Sequence, residues 1–147
     1  MVIKLLPSQI PIFWEAIKFA VVSVDEVIEK DREAYLNLLL HSLLNSKSQC
    51  FVRLNEERRL SALFITRFSI NKVTGEKNLS IRILYSWKRS QDEEWKDTFA
   101  VIKKFAEHEG CTDITFRSKN PRIWHLGEIM GFKESSRAFT LRMEGSQ

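Results

Sequence analysis

Apolar residues recur at three- and four-residue intervals over the first third of the chain, which predicts two helices. An apolar run at residues 2–6 precedes them and predicts a first strand. Ser8 is an N-cap residue type, so the first helix is expected to begin there. The second helix is expected to run from about Asp25 or Asp31 to Ser46. It carries two leucine-rich stripes, which favours burial on more than one side.

The spacing of apolar residues then changes to that of strands. Three strand-like runs, at residues 49–54, 60–70 and 79–87, are separated by polar, turn-rich segments. This pattern predicts an antiparallel meander. A third helix is predicted over residues 92–109 and a short strand over residues 111–116, which would return parallel to the third meander strand.

The next segment carries the strongest local signals in the chain. Asn120 is an N-cap type, and Pro121 follows at the first helical position, where the missing N–H of proline costs nothing. Gly131 stands where a left-handed C-terminal cap is expected. A helix of about ten residues is therefore predicted. Residues 132–143 are compatible with a final strand.

This strand, helix and strand resemble the C-terminal part of the GCN5-related N-acetyltransferase (GNAT) superfamily, in which the helix often reads Asn-x-x-Ala-x-x-Leu-Tyr-x-x-x-Gly-Phe. Without gaps, the matching residues are Asn120, Leu126, Gly131 and Phe132, while Ile123 stands at the alanine and Gly127 at the tyrosine. The element order resembles that of GNAT proteins from end to end. The resemblance implies an α+β, three-layer fold with a mixed, mostly antiparallel sheet flanked by helices. The whole chain, residues 1–147, is expected to form one domain.

The resemblance weakens at the cofactor loop. In catalytic GNAT proteins a loop like Gln/Arg-x-x-Gly-x-Gly/Ala holds the pyrophosphate of acetyl-CoA with backbone N–H groups at a helix start. Residues 90–96 share only Gln91 with that motif, and Asp92, Glu93 and Glu94 follow it. Each acid favours the helix dipole by about 0.3–1 kcal/mol. Each would also repel a phosphate charge by roughly 3–4 kcal/mol before salt screening.

The sequence supplies no other recognisable catalytic set. The tyrosine that commonly protonates the leaving thiolate in the family is Gly127 here, and glycine has no ionisable group. His125 adjoins that position but points about 100 degrees away on a helix. No acid occurs in residues 79–87, and His41 and His108 have no carboxylate or cysteine at ligand or triad spacing. We therefore predict no catalytic and no metal-binding residues.

Two main hypotheses follow for function. The sequence favours a non-catalytic binding or structural protein that uses no cofactor and that contacts a protein partner or a second copy of itself. The resemblance extends to small phage virion-associated proteins that lack the CoA loop. The alternative is a divergent N-acyltransferase that moves an acyl group from acyl-CoA to an amine. In that case we expect the backbone amides of Arg82 to Tyr85 to grip the pantetheine arm of acetyl-CoA, with water in place of the tyrosine. The residues expected to contact the cofactor are Ile83, Tyr85, Gln91 and Asn120.

The amino-acid composition indicates the class of protein and its expected location. The 147 residues are 44% hydrophobic and 29% charged, which is typical of a soluble domain, and no apolar run reaches the roughly 18 residues of a membrane span. We therefore expect a cytoplasmic protein, or a virion component if the source is a phage, without membrane contact. The net charge of +4 arises after residue 46. That basic excess makes weak, non-specific attraction to nucleic acid a third hypothesis.

Overall fold

The structure, a computed structural model, describes residues 1–25 and 29–144. The order of its elements matches the predicted order except at the end of the chain. In chain order these are β1 (Val2–Lys4), a 3-10 helix (Pro7–Gln9), α1 (Ile10–Val24), α2 (Glu29–Leu44), β2 (Ser48–Leu54), β3 (Leu60–Ile70), β4 (Lys77–Ser86), α3 (Asp92–His108), β5 (Asp113–Phe116) and α4 (Pro121–Ile129).

The sheet has five strands in the order β1-β2-β3-β4-β5. Neighbouring strands from β1 to β4 are antiparallel, and β5 runs parallel to β4. The connection from β4 to β5 contains α3, because two parallel strands need a crossover segment between them. The predicted mixed, mostly antiparallel sheet in an α+β fold is confirmed.

Helices cover both faces of this sheet. Successive side chains of β2 point to opposite faces and pack against different helices. Cys50 and Val52 pack with α1 and α2, whereas Phe51 meets Phe105 of α3 edge to face, with ring centroids 5.4 Å apart. The buried residues on the side of α1 and α2 are Leu5, Ile10, Ile17, Ala20, Val21, Leu43, Cys50, Val52, Leu63, Ile65 and Ile83. The result is the predicted three-layer arrangement.

The chain divides into two compact units, Met1–Arg117 and a second that begins at Ser118. The first unit contains the whole sheet together with α1, α2 and α3. The second contains α4. The expectation of one domain over residues 1–147 stays a prediction.

Two sequence-based expectations were wrong. Ser8 lies in the 3-10 helix, and α1 begins two residues later at Ile10, because the Gln9 side chain accepts the Leu6 N–H at 2.8 Å and tightens this turn. The final strand predicted over residues 132–143 is also absent, since the structure forms neither strand nor helix there. Alternation of apolar and polar residues selects a face, but a strand also needs a paired neighbour, which alternation does not supply.

Candidate functional site

The candidate site begins at an irregularity in β4. Ile65 of β3 pairs with Ile83, but the next residue, Thr66, pairs with Ile81. Arg82 is therefore an extra residue, which makes this a β-bulge. A bulge re-aims the backbone that follows it, and here it lies at the point where β4 parts from its other neighbour.

That neighbour, β5, pairs with β4 from Asn78 to Ile81, with Phe116 opposite Ile81 in the last pair. Strand β4 continues to Ser86 and stays paired with β3 throughout. Over residues 82–86 the opposite edge of β4 consequently has no strand beside it in the described sheet. We call this stretch the open edge.

The hydrogen bonds to β3 show which residues face away from the open edge. The Trp87 N–H donates to the Ser61 carbonyl at 2.9 Å. Backbone groups in an antiparallel pair alternate in direction. Tyr85 and Ile83, two and four residues earlier, therefore direct their N–H and C=O groups towards β3 as well.

Leu84 and Ser86 have the opposite orientation, so their N–H and C=O groups point out of the open edge. Before the bulge the outward residues are odd-numbered, because the Lys77 carbonyl accepts the Thr112 N–H at 2.8 Å. The extra residue, Arg82, shifts the alternation by one. Leu84 and Ser86 thus present outward N–H and C=O groups at every second residue of the open edge. Among the described residues, no strand pairs with these groups.

Two of the residues predicted to contact the cofactor, Ile83 and Tyr85, have side chains that pack against other parts of the protein. The Ile83 side chain is 3% exposed and belongs to the core under α1 and α2. The Tyr85 ring packs edge to face against Phe19 of α1 and against Trp87, at centroid distances of 5.9 and 4.9 Å. Neither presents its backbone amide to the open edge. Contact of Ile83 and Tyr85 with a cofactor stays a prediction. At the open edge such a contact would have to be made by their side chains, because their backbone amides face β3.

The third predicted contact, Gln91, is the N-cap residue of α3. Its N–H donates to a carboxylate oxygen of Glu94 at 3.3 Å, so an acid of the first turn already accepts a hydrogen bond at the helix start. The side chains of Asp92 and Glu93 are exposed beside it. The start of α3 is thus negatively charged, as the sequence indicated.

A buried arginine lies beneath this helix start. The Arg53 side chain on β2 is 6% exposed, and its guanidinium donates to the hydroxyls of Ser61 at 2.9 Å and Thr98 at 3.4 Å and to that of Ser90. The same group stacks on the Trp95 ring. Burial lowers the pKa of Arg53, and the negative charge of Glu94 opposes that shift. Ser90 lies in the connection from β4 to α3, so Arg53 fixes the position of that connection.

On the opposite face of the sheet a phenol and a carboxylate are paired near the bulge. The Tyr35 hydroxyl on α2 donates to Asp25, at the end of α1, at 2.7 Å. Burial, followed by this hydrogen bond, raises the pKa of Tyr35 to about 12, and the charge of Arg82 lowers it in part. The pair was not anticipated, since the two residues are ten positions apart on different helices.

The fourth predicted contact, Asn120, belongs to the second unit. Its side chain accepts the Arg122 N–H at 3.0 Å and caps α4, as its residue type predicted. Gly127, at the tyrosine position of the family motif, is the buried residue of this helix, and His125 is exposed. Contact of Asn120 with a cofactor stays a prediction.

A separate cleft of about 200 Å³ lies at the far end of the sheet, where β2 begins. Its lining includes Lys4, Cys50, Phe105 and Glu109. Because β2 and β4 run in the same direction, the end at which β4 terminates is the opposite one. The cleft is therefore distinct from the open edge.

Two further findings concern the described residues. Among them, no three His, Cys, Asp or Glu side chains are grouped so that they could hold a metal ion. None of the helices in this part of the chain has the length and apolar character needed to cross a membrane.

Solved structures share this arrangement over nearly the whole chain. A probable acetyltransferase superposes with a TM-score of 0.76 at 12% identity, covering 99% of both chains. The chain has the GNAT fold. An aminoglycoside 6'-N-acetyltransferase from Acinetobacter baumannii gives a TM-score of 0.72 at 11% identity, again over 99% of both chains. An aminoglycoside N-acetyltransferase in complex with CoA gives 0.69 at 11% identity, over 98% of this chain and 94% of that one.

Identities this low show the GNAT fold and no activity. No protein-family model matches the sequence, and no curated protein matches it. Function must therefore be argued from the residues of the site.

Proposed function

We propose that the protein is a divergent N-acyltransferase that transfers an acyl group from an acyl-CoA thioester to an amine. The open edge carries this proposal. It is a stretch of strand with outward amides beside the start of α3, in a fold shared with acetyltransferases.

The open edge fits the pantetheine arm of CoA chemically. That arm contains two amide groups, and the outward backbone groups of Leu84 and Ser86 lie about 6.7 Å apart along the strand. An extended amide chain can hydrogen-bond to such an edge as an added strand would. When bound, the thioester supplies the acyl group. The chain supplies the edge that orients it.

The start of α3 fits the diphosphate of CoA poorly. Asp92, Glu93 and Glu94 occupy the positive end of the helix dipole, and they oppose phosphate charges by Coulomb repulsion. Lys88 and Arg89 are exposed in the preceding connection and offset part of that repulsion. We therefore propose that the affinity for CoA resides mainly in the pantetheine arm and is weak.

Proton transfer would rely on solvent more than in tyrosine-dependent acetyltransferases, because Gly127 supplies no acid. A thiol has a pKa of about 8.5, so water can protonate much of the departing thiolate near neutral pH. An alkyl amine has a pKa of about 10.4 and must lose a proton before it attacks. The reaction rate should therefore rise with pH up to the amine pKa.

A non-catalytic binding protein is the second candidate. The hydrogen bond from the Gln91 N–H to Glu94 favours it, since the Glu94 carboxylate already accepts this N–H at the helix start and would repel an anion there. In this alternative the open edge would serve a protein partner. Acetyl-CoA would then leave the protein unaffected.

One experiment separates the two candidates. The purified protein is incubated with acetyl-CoA or with S-acetylpantetheine, which lacks the diphosphate, and with a panel of primary amines. Release of free thiol and the mass of the acetylated amine are then measured. We expect amine-dependent release with both donors, at rates within a few-fold of each other. If neither donor reacts with any amine and neither shifts the melting temperature at millimolar concentration, the second candidate replaces the first.

A further inference from the structure

Strand β1 stops pairing before its neighbour β2 ends. The Leu5 N–H still donates to the Cys50 carbonyl, at 2.8 Å. Continuing the register of the two strands places Pro7 opposite Ser48. Proline has no N–H to donate, and the Pro7 carbonyl already accepts the Ile10 N–H in the 3-10 helix. The first strand therefore leaves the edge of β2 uncovered at Ser48.

The backbone of Ser48 is a buried donor and acceptor. It has the orientation of Cys50, two residues later, because backbone groups alternate in direction along a strand. The Ser48 N–H and C=O therefore point away from β3, and neither has a hydrogen-bond partner among the described residues. Only 5% of the surface of Ser48 is exposed. Buried backbone groups are almost always hydrogen-bonded, so these two groups suit a bound molecule that supplies an acceptor and a donor.

Ser48 lines the cleft of about 200 Å³ at this end of the sheet. The cleft is smaller than the roughly 300–1,000 Å³ of pockets that hold drug-sized ligands, so it suits one small metabolite. Three buried aliphatic side chains, Leu5, Ile10 and Leu43, line it on the side of α1 and α2. The cleft thus combines a polar backbone edge with an apolar wall.

We propose that this cleft binds a free α-amino acid with an aliphatic side chain, such as leucine. The ammonium group donates to the Ser48 carbonyl and the carboxylate accepts the Ser48 N–H. A residue of a neighbouring antiparallel strand exchanges the same two bonds through its own N–H and C=O. Binding here does not depend on acyl transfer, since the open edge lies at the opposite end of the sheet.

The same pairing determines where the ligand side chain points. Residues directly opposite each other in an antiparallel pair place their side chains on one face of the sheet. The Ser48 hydroxyl is hydrogen-bonded to that of Ser42 on α2, at 2.6 Å, so this face is the one that α2 covers. The ligand side chain is therefore directed to the aliphatic wall formed by Leu5, Ile10 and Leu43.

The charges in the cleft favour a zwitterion. Lys4 and Glu109 both line it, so an anion or a cation alone would face a group of its own sign. A zwitterion has no net charge. Its ammonium and carboxylate also make charge-assisted hydrogen bonds, which are roughly twice as strong as those between neutral groups.

Titration of the ¹⁵N-labelled full chain with leucine, without acyl-CoA, tests the site. The Ser48 amide should shift and saturate, while the Leu84 and Ser86 amides of the open edge stay in place. Glycine should bind at least tenfold more weakly than leucine because it lacks the side chain. Leucinamide and N-acetyl-leucine, which each lose one charge, should bind about five- to tenfold more weakly. No saturable shift of the Ser48 amide up to tens of millimolar leucine would overturn the proposal, and equal binding of N-acetyl-leucine would rule out the zwitterion.

A variant pair tests the aliphatic wall. Leu43→Phe should fill the space for the ligand side chain and weaken leucine binding at least tenfold in calorimetric titration. Leu38→Phe is the matched control, because Leu38 lies on the same helix but is 72% exposed, and it should leave the affinity unchanged. The melting temperature of each variant shows whether it is folded. A folded Leu43→Phe protein that binds leucine as the wild type does would contradict the proposed wall.

Discussion

Arg53 on β2 and Trp95 on α3 are stacked, with the guanidinium carbon 4.9 Å from the ring centroid. The contact joins the sheet to the helix that begins beside the open edge. The hydroxyl partners of Arg53 are neutral, and its pKa is lowered by burial, so the charge is costly to bury. A buried arginine in this position is retained at an energetic cost, and we interpret it as the anchor of the connection from β4 to α3.

We predict that Arg53→Ala lowers the free energy of unfolding by about 2–4 kcal/mol, because it leaves a cavity under Trp95. Arg53→Met should recover more than half of that loss, since it fills the space without burying a charge. Urea denaturation measures both values. Equal losses in the two variants would mean that the hydrogen bonds, and not the packing, provide the stability.

Neutralising the first turn of α3 should have opposite effects on stability and on binding. Asp92→Asn combined with Glu93→Gln should reduce the free energy of unfolding by about 0.6–2 kcal/mol, because each acid favours the helix dipole. It should also lower the dissociation constant for CoA by roughly tenfold after salt screening, while binding of pantetheine stays unchanged. Calorimetric titration measures both ligands. Glu107→Gln, at an exposed acid near the other end of α3, is the control, and a similar gain there would point to net charge alone.

The Tyr35–Asp25 pair predicts a loss of stability at high pH. The folded protein holds the pKa of Tyr35 at about 12, above its ordinary value of 10.0, so the stabilisation is complete below pH 10 and is lost as pH rises towards 12. The free energy of unfolding should therefore fall more steeply over this range in the wild type than in Tyr35→Phe. Cys50, whose pKa burial raises to about 12, titrates in both proteins and cancels in the comparison. Equal slopes would exclude the pair as a source of stability.

Local chemistry explains what the sequence predicted well. Asn120 caps α4, and Gly131 adopts a φ of 90° after it, which is the left-handed conformation that glycine tolerates. The acids after Gln91 mark the first turn of α3 just as directly. These signals act between residues only a few positions apart, so they can be read without knowing the fold.

The features that the sequence did not reveal depend on neighbours distant in the chain. The bulge at Arg82 contains neither glycine nor proline, and it arises from the register between β3 and β4. Unbroken alternation would have aimed Ile83 and Tyr85 at the open edge, whereas the bulge aims Leu84 and Ser86 there. The burial of Arg53 and the pairing of Tyr35 with Asp25 likewise depend on packing between separate elements.

The central claim is that the outward amides of the open edge hold the pantetheine arm. Titration of the ¹⁵N-labelled protein with CoA and with pantetheine, followed by amide chemical shifts, tests it most directly. We expect the Leu84 and Ser86 amides to shift with both ligands, and the Ile83 and Tyr85 amides, which face β3, to move much less. No shift at Leu84 and Ser86, or shifts with CoA that are confined to the start of α3, would contradict the account.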